Sequence, residues 1–253
     1  MIRTIFIVSI LFTCWTCTNT SGKNLTANNA DTALHTSNSS KVLIELFTSQ
    51  GCSSCPTADK LMGSIMTEDT NVITLSYHVD YWDRLGWKDV FSNHDYTQRQ
   101  QQYVRALHAE SLYTPQAVVQ GTYEMVGSNR NRILDAIKKA EAKSSAETII
   151  ADPIIKGNAI TISYHLSHPE TKHQIIIALV QNKSKTSVAK GENAGAQLTD
   201  YNVVRSLIVQ PVQDHGIIKM YLPADLKQDN ASIVLFTQDE QTKDIATVTH
   251  LHL

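Results

Sequence analysis

The sequence predicts an α/β domain over residues 41–146 and an antiparallel β-sandwich-like domain over residues 147–253. Before residue 146, apolar runs of strand length alternate with segments of helical spacing. From about Ala151, short alternating or β-branched runs are separated by polar turns, without a helical pattern between them. Two cysteines between the first strand and the first helix define a candidate site. The second region is either a separate domain or a large elaboration packed on the first.

The α/β region has the predicted order strand–helix–strand–helix–strand–strand–helix. Each strand is a short apolar or β-branched run, and the helical segments are rich in helix formers, apolar spacings or capping residues. The predicted strands are 42–48, 71–82, 116–120 and 123–127, and the predicted helices are 56–66, 93–110 and 128–143. In the second region Ile160, Ile162 and Tyr164 alternate with polar residues, which is typical of a strand with one buried face.

The segment CSSCP, residues 52–56, places two cysteines three positions apart at the start of the first helix. Their spacing allows a disulfide, but so short a closed loop contributes little as a stabilising cross-link. Because Pro56 lacks a backbone N–H, it fits only in the first helical turn, so Ser53 or Ser54 is the expected N-cap. We therefore expect an exposed Cys52 thiolate just outside the helix and Cys55 inside it. A CxxC at this point of the element order predicts a thioredoxin-like fold.

Further residues are expected to complete the site. Thr114-Pro115 directly precedes a strand, like the cis-proline of thioredoxin-like proteins, in which the preceding residue pairs with the substrate backbone. Glu45 is either an acid–base group for the resolving thiol or a hydrogen-bonded structural carboxylate. His78, Asp80 and Trp82, at the end of the second strand, are expected to line the substrate groove. Asp59 is expected to be a solvated helix residue.

The N-terminal sequence predicts export. Residues 1–17 contain Arg3, then an apolar run too short to span a membrane, then small and polar residues, which is the layout of a signal peptide. Cys14 loosely fits a bacterial lipoprotein cleavage site, so a lipid-anchored protein and a plain signal peptide both remain open. Residues 18–40 are rich in Ser, Thr and Asn and predict a flexible spacer. We expect a periplasmic or cell-envelope protein.

The composition of the chain limits which classes of partner and cofactor are expected. The 22 basic and 24 acidic side chains give a formal charge of −2, so no basic footprint for nucleic acid is predicted. Membrane contact is expected only through the N-terminal anchor. A cofactor is not expected, and no metal is predicted, because the CxxC has no second CxxC or HxxxH to complete a zinc site. A site formed by Cys52, Cys55 and His78 is the metal-binding alternative.

Five segments together resemble a known family. They are ELFTSQGCSSCPTAD, HVDYWDRLGWKD, FSNHDYTQRQQQY, YTPQAVVQG and KGENAGAQLTDYNVVR. Their order is similar to that of the uncharacterised secreted family called domain of unknown function 1223 (DUF1223), from about Val42 to the C-terminus. The resemblance implies a thioredoxin-like fold with Cys52, Cys55 and Pro115 as motif residues, and Thr57 departs from a proline common in the family. It also suggests that Glu192, Asn193, Asn202 and Arg205 fold a loop over the CxxC.

The sequence thus predicts a thiol–disulfide oxidoreductase. Thiolate Cys52 would be the nucleophile and Cys55 the resolving thiol, acting on protein or small-molecule thiols and disulfides. In an oxidising compartment, a reductase would also need a membrane redox donor. The alternative is a non-catalytic metal- or peptide-binding envelope protein on the same scaffold, and a third reading is a purely structural envelope protein.

Overall fold

The structure is a computed structural model, which describes residues 41–143 and 145–253. The predicted signal peptide, its Cys14 and the predicted spacer lie outside the described residues. The first part contains β1 (Val42–Thr48), α1 (Cys55–Glu68), β2 (Val72–His78), α2 (His94–Ala106), β3 (Gln116–Val119), β4 (Tyr123–Val126) and α3 (Arg130–Glu141). A short 3-10 helix, Asp83–Leu85, lies between β2 and α2. The predicted order of elements is confirmed.

The second part contains seven strands. They are β5 (Thr148–Lys156), β6 (Ala159–Ser167), β7 (His173–Ser187), β8 (Gln197–Pro211), β9 (His215–Tyr221), β10 (Ala231–Asp239) and β11 (Ile245–His252), with a 3-10 helix at Gln228–Asn230. Within the described residues, the strand-rich character predicted for this region is confirmed, and the β-sandwich-like assignment stays a prediction. The long strands β7 and β8 pair antiparallel and form a hairpin, whose tip is residues 188–196.

Strands from both parts form one sheet of eight, in the order β11-β10-β7-β8-β2-β1-β3-β4. The pairs β1–β2 and β2–β8 are parallel, and the other pairs of this sheet are antiparallel. The remaining strands form a second sheet, β5-β6-β9. The result is a mixed α/β fold with a large sheet, and the thioredoxin-like assignment stays a prediction.

Apolar side chains hold these layers together. On one face of β1, Leu43 and Phe47 pack with Ile176 and Phe236 from the second part. On the other face, Ile44 and Leu46 belong to a cluster shared with α1 and α3. The second sheet packs on the outer part of the large one, where Ile160 and Ile162 join a cluster with Ile177 and Leu235. Burying side chains of this size stabilises a protein by about 1.5–3 kcal/mol each.

The parallel pair β1–β2 fixes where the site lies. Parallel strands end at the same edge of a sheet, so Thr48 and His78, which are register partners, stand side by side. The loop after β1 carries the two cysteines into α1, and the loop after β2 leads to α2. β2 ends at His78 rather than at residue 82, because Asp80 turns away and its backbone N–H donates to Thr97 Oγ1 (3.1 Å).

Candidate active site

The start of α1 follows the local sequence rules. α1 begins at Cys55 with Ser54 as its N-cap and a proline in its first turn, as Pro56 requires. The Ser54 hydroxyl does not cap the helix. Its Oγ instead lies 3.2 Å from Cys52 Sγ. The N-cap side chain therefore hydrogen-bonds with the Cys52 sulfur, which precedes the helix, and not with the helix backbone.

Cys52 has the environment of a stabilised thiolate. A hydrogen bond with the Cys55 thiol lowers its pKa most, burial opposes this, and contacts with Ser54 and Thr114 lower it further, so that the pKa is about 6. Its Sγ lies 3.9 Å from the Thr114 carbonyl oxygen. The expectation that Cys52 is exposed was wrong, since the residue is only 1% exposed. Segments distant in sequence cover it.

Cys55 has the opposite character. It is fully buried, and burial in the first place, followed by its contact with the Cys52 sulfur and the charges of Cys52 and Asp59, raises its pKa well above the usual range of a thiol. Both cysteines are free thiols. The pair therefore has one sulfur that ionises easily and one that keeps its proton, which is the asymmetry that thiol–disulfide exchange needs.

The predicted proline site lies next to the cysteines. The Thr114–Pro115 peptide bond is cis, as expected. Trp82 donates its indole N–H to Thr114 Oγ1 (2.8 Å), and the Pro115 carbonyl accepts from the Gly127 backbone N–H (2.8 Å). A Cβ on Gly127 would lie 2.6 Å from Leu46 and 3.2 Å from Pro115, so only glycine allows this close approach.

Glu45 lies on the opposite face of the sheet from α1. Side chains alternate along β1, and Glu45 points to the α2 side, where it makes a two-point ion pair with Arg99 (2.7 and 2.9 Å) and accepts a hydrogen bond from Tyr103. Of the two roles that the sequence left open, this geometry supports the structural carboxylate.

Asp59 is the carboxyl group that lies on the same buried face of α1 as Cys55. The expectation that it is solvated was wrong, because it is buried under the sheet and accepts a hydrogen bond from Thr48 Oγ1 (3.2 Å). Its other oxygen makes no hydrogen bond within the described chain. Burial, and then repulsion from Asp200, raise its pKa to about 8, against the attraction of His78. The four-residue spacing from Cys55 to Asp59 could have indicated this, because it places both on one helix face.

The three residues predicted to line the substrate groove lie in three different environments. Trp82 lies against Gly51 and Thr114, beside the cysteines. His78 is fully buried behind them, and its Nδ1 lies 2.7 Å from Asp89 Oδ2. Asp80 faces the start of α2, where it accepts from Thr97 (2.6 Å) and contacts His94 (2.9 Å). The structure thus brings only Trp82 next to the sulfurs from this set.

A polar network that the sequence analysis did not identify fixes the loop before Cys52. The Gln50 backbone N–H donates to Asp89 Oδ2 (2.7 Å), and its side-chain amide donates to Asp200 (3.0 Å) and to Thr186 (3.0 Å). The amide oxygen of Gln50 accepts from the Trp87 indole N–H (3.3 Å). A lone glutamine in a loop has no sequence signature for such a role.

The hairpin tip, residues 188–196, covers the CxxC segment. The Asn193 amide donates to the carbonyl oxygens of Gln50 and Cys52, both at 2.9 Å. Glu192 accepts from the Ser53 backbone N–H (3.1 Å). The expectation that this loop folds over the cysteines is confirmed for these two residues. Asn202 instead donates to Thr74, and Arg205 pairs with Asp225.

The described residues contain neither a metal-ligand cluster nor a membrane-spanning helix. Within residues 41–143 and 145–253, no group of three histidine, cysteine or acidic side chains is arranged to hold a metal ion, so His78 does not join the cysteines as a ligand set. Among the same residues, none of the helices combines the length and apolar character needed to cross a bilayer.

One family model matches most of the chain. The model of the family described as "Protein of unknown function (DUF1223)" matches residues 43–238. A crystal structure of a structural-genomics target protein from Agrobacterium tumefaciens is 27% identical, with a TM-score of 0.62 over 84% of this chain and 94% of that chain. Among curated proteins the chain has no match.

Two further solved structures are more distant. A domain of the outer membrane lipoprotein Omp28 from Porphyromonas gingivalis is 15% identical, with a TM-score of 0.28 over 43% of this chain and 88% of that chain. OgpA from Akkermansia muciniphila is 11% identical, with a TM-score of 0.26 over 44% of this chain and 28% of that chain. Likenesses this weak support no conclusion about fold or function.

Proposed function

The chain belongs to the DUF1223 family of proteins of unknown function, so its activity has to be inferred from its own residues, and we propose that it is an exported thiol–disulfide oxidoreductase on a thioredoxin-like scaffold. Cys52 is the nucleophile and Cys55 the resolving thiol. One observation carries the proposal: Cys52 Sγ lies just before α1, 3.2 Å from Ser54 Oγ and beside the cis Thr114–Pro115 step, while Cys55 is fully buried. The directions of the pKa shifts agree with this geometry, since the pKa of Cys52 is lowered and that of Cys55 is raised. The N-terminal sequence supports export.

The first step is attack by the Cys52 thiolate on a client disulfide. A bond forms between Cys52 Sγ and one client sulfur, while the client S–S bond breaks and the other client sulfur leaves as a thiolate. At neutral pH most Cys52 is already ionised, so no base is needed for this step. The Thr114 carbonyl beside Cys52 Sγ is an acceptor for the backbone N–H of a peptide client.

The second step needs a base, because Cys55 keeps its proton. Asp59 is the nearby carboxyl on the same face of α1, and its pKa of about 8 is close to working pH, as general acid–base catalysis requires. The ionised form of Asp59, which is the minor form at pH 7, takes the Cys55 proton, and the Cys55 thiolate attacks Cys52 Sγ. This releases the client as a dithiol and leaves a Cys52–Cys55 disulfide. In the reverse direction, protonated Asp59 donates to the leaving Cys55, and a client dithiol is oxidised.

Turnover needs an external partner. The oxidised pair returns to the dithiol only if a reductant, such as a membrane electron donor, supplies two electrons. The clients are thiol or disulfide groups of proteins or small molecules. With a lipidated N-terminus, the enzyme would act at a membrane surface.

The proposal is tested by trapping. Cys55→Ser removes the resolving thiol, so mixed disulfides through Cys52 should accumulate in envelope extracts and with a model disulfide peptide. Cys52→Ser in the same background should abolish them, and Ser53→Ala should behave like the unsubstituted chain. If purified protein neither exchanges with a disulfide peptide nor forms trapped complexes, the proposed function is refuted.

A further inference from the structure

A group of charged side chains lies behind the cysteines, on the α1 side of β1 and β2. Thr48 and His78 are register partners on parallel strands, so their side chains point to the same face. Thr48 holds Asp59 by its hydroxyl, which brings the Asp59 carboxyl to the face that carries the His78 imidazole. Asp89 and Asp200 complete the group from the loop after β2 and from the start of β8.

Two atoms of this group stand out. Asp59 Oδ1 and His78 Nε2 are buried and make no hydrogen bond within the described chain. Buried polar atoms without a partner are costly and rare, and those in native proteins call for an explanation such as a catalytic role. Here one is an acceptor on the acid–base group and the other belongs to an imidazole that faces the same space.

The other contacts of His78 and Asp200 fix them in place. His78 Nδ1 contacts Asp89 Oδ2 at 2.7 Å, and the Phe91 ring packs edge-on against the imidazole with centroids 5.3 Å apart. Asp200 is 1% exposed and receives the Gln50 amide at 3.0 Å. Neither side chain can leave the group without breaking these contacts.

We propose that His78 and Asp200 are positioning residues for the resolving step, which set how readily Asp59 accepts the Cys55 proton by adding a positive and a negative charge to the buried group around it. This inference rests on the proposed function and adds two residues to it. His78 favours the ionised carboxylate and Asp200 disfavours it. Within the described residues neither side chain hydrogen-bonds to a cysteine sulfur, and the proposed effect of both on the resolving step runs through Asp59.

The charges of the neighbouring groups agree with this assignment. Burial disfavours a charged His78, but the attraction of Asp89, Asp200 and Asp59 outweighs it and raises the pKa of His78 to about 9, so the ring is cationic at neutral pH. Asp89 has a lowered pKa, because His78 and two backbone N–H groups outweigh its burial. Burial raises the pKa of Asp200. The titratable and polar groups that act on Asp59 are Cys55 from α1, Thr48 from β1, His78 from β2, Asp89 and Asp200.

The two residues predict shifts of opposite sign. In His78→Gln the cation is lost, so the pKa of Asp59 rises. The acid limb of the pH–rate profile for the resolving step, on which the rate rises as Asp59 ionises, should therefore have its midpoint about one pH unit higher. In Asp200→Asn the repelling charge is lost while an acceptor for Gln50 is kept, so the limb should move down by a similar amount. A merely structural role would slow the step without moving its pH dependence in opposite directions.

Stopped-flow mixing of the reduced full chain with a fluorescent disulfide peptide separates the two steps. The first phase reports attack by Cys52 and should stay within about twofold of the unsubstituted chain at each pH, because His78 and Asp200 do not contact that sulfur. The second phase reports resolution and should show the two shifts. His94→Gln is the matched control, since His94 is exposed and contacts Asp80, and it should leave both phases unchanged.

The outcomes are distinguishable. If both phases are present and the two variants move the second-phase limb in the same direction, or not at all, the inference is overturned while the proposed function stands. If the unsubstituted chain shows no first phase, both fail. If His78→Gln does not fold, the Asp59 carboxyl can be titrated by carbon-13 NMR in the reduced unsubstituted chain and in Asp200→Asn, where a lower midpoint in the variant supports the inference and an equal or higher one overturns it.

Discussion

Replacing Ser54 by alanine tests how the Cys52 thiolate is stabilised. The Ser54 hydroxyl lies 3.2 Å from Cys52 Sγ and is one of the contacts that bring the pKa of this thiol to about 6. A hydrogen bond to a charged group contributes about 1.5–3 kcal/mol. Because Ser54 is exposed and water can replace its hydroxyl, the lower end applies, which corresponds to about one pKa unit. We therefore expect a pKa of about 7 in Ser54→Ala.

The effect of Ser54→Ala on the reaction rate should change sign across the pH range. At pH 5 the thiolate fraction falls about ninefold, but a thiolate of higher pKa is intrinsically about threefold more nucleophilic, so the net rate falls about threefold. At pH 9 both proteins are largely ionised, and Ser54→Ala should react up to about threefold faster. The assay is the first phase of reaction with an aromatic disulfide, followed by absorbance of the released thione.

The matched control is Ser53→Ala. Ser53 is also exposed, and it contacts Glu192 through its backbone N–H, which the substitution leaves in place. Its pH profile should overlay that of the unsubstituted chain. Equal midpoints in Ser54→Ala and in the unsubstituted chain would refute the assigned hydrogen bond, and slower reaction of Ser54→Ala at every pH would indicate an effect on access instead.

Three further predictions concern the cover of the site and the fold. Asn193→Ala removes two hydrogen bonds from the hairpin tip to the CxxC loop, so a bulky maleimide should modify Cys52 severalfold faster, whereas exposed Asn131→Ala should not change the rate. Arg99→Met leaves Glu45 buried without its cation and should lower the free energy of unfolding in urea by about 3–5 kcal/mol, while Arg130→Met, at an exposed pair with Glu68, should cost less than about 1 kcal/mol. Gly121→Ala and Gly157→Ala both force alanine into positive φ, but only at Gly121 would the Cβ meet a carbonyl, that of Lys243 at 1.8 Å, so the melting temperature of Gly121→Ala should be clearly the lower of the two.

The sequence pattern correctly predicted those helices and strands whose bounds depend on residues close together in the chain. The strand-length run before Cys52 and the fixed geometry of Pro56 placed β1 and the start of α1 correctly. The second strand ended four residues earlier than its apolar pattern suggested, because Asp80 hydrogen-bonds to α2. A contact between elements that are distant in the chain therefore overrode the local preference.

The candidate site was predicted less completely than the fold for the same reason. The two cysteines and the Thr114-Pro115 step have sequence signatures, and the structure brings them together. Burial of Cys52 depends on how the hairpin tip packs over the CxxC loop, which no residue pattern near the cysteines encodes. Glu45 and Asp59 are both acidic residues near the motif, and only the direction in which β1 and α1 present them decides which one faces Cys55.

The shared sheet also determines how the molecule can be divided. β8 lies between β7 and β2, and its contact with β2 includes a hydrogen bond from the Ser76 hydroxyl to the Tyr201 carbonyl (2.8 Å). A fragment that stops near residue 146 would lose the neighbour of β2, expose Leu43 and Phe47 to water and uncover the two cysteines at the same time. The cysteine-bearing half is therefore not a transplantable module, and grafting it onto another carrier would require grafting its strand-rich companion as well.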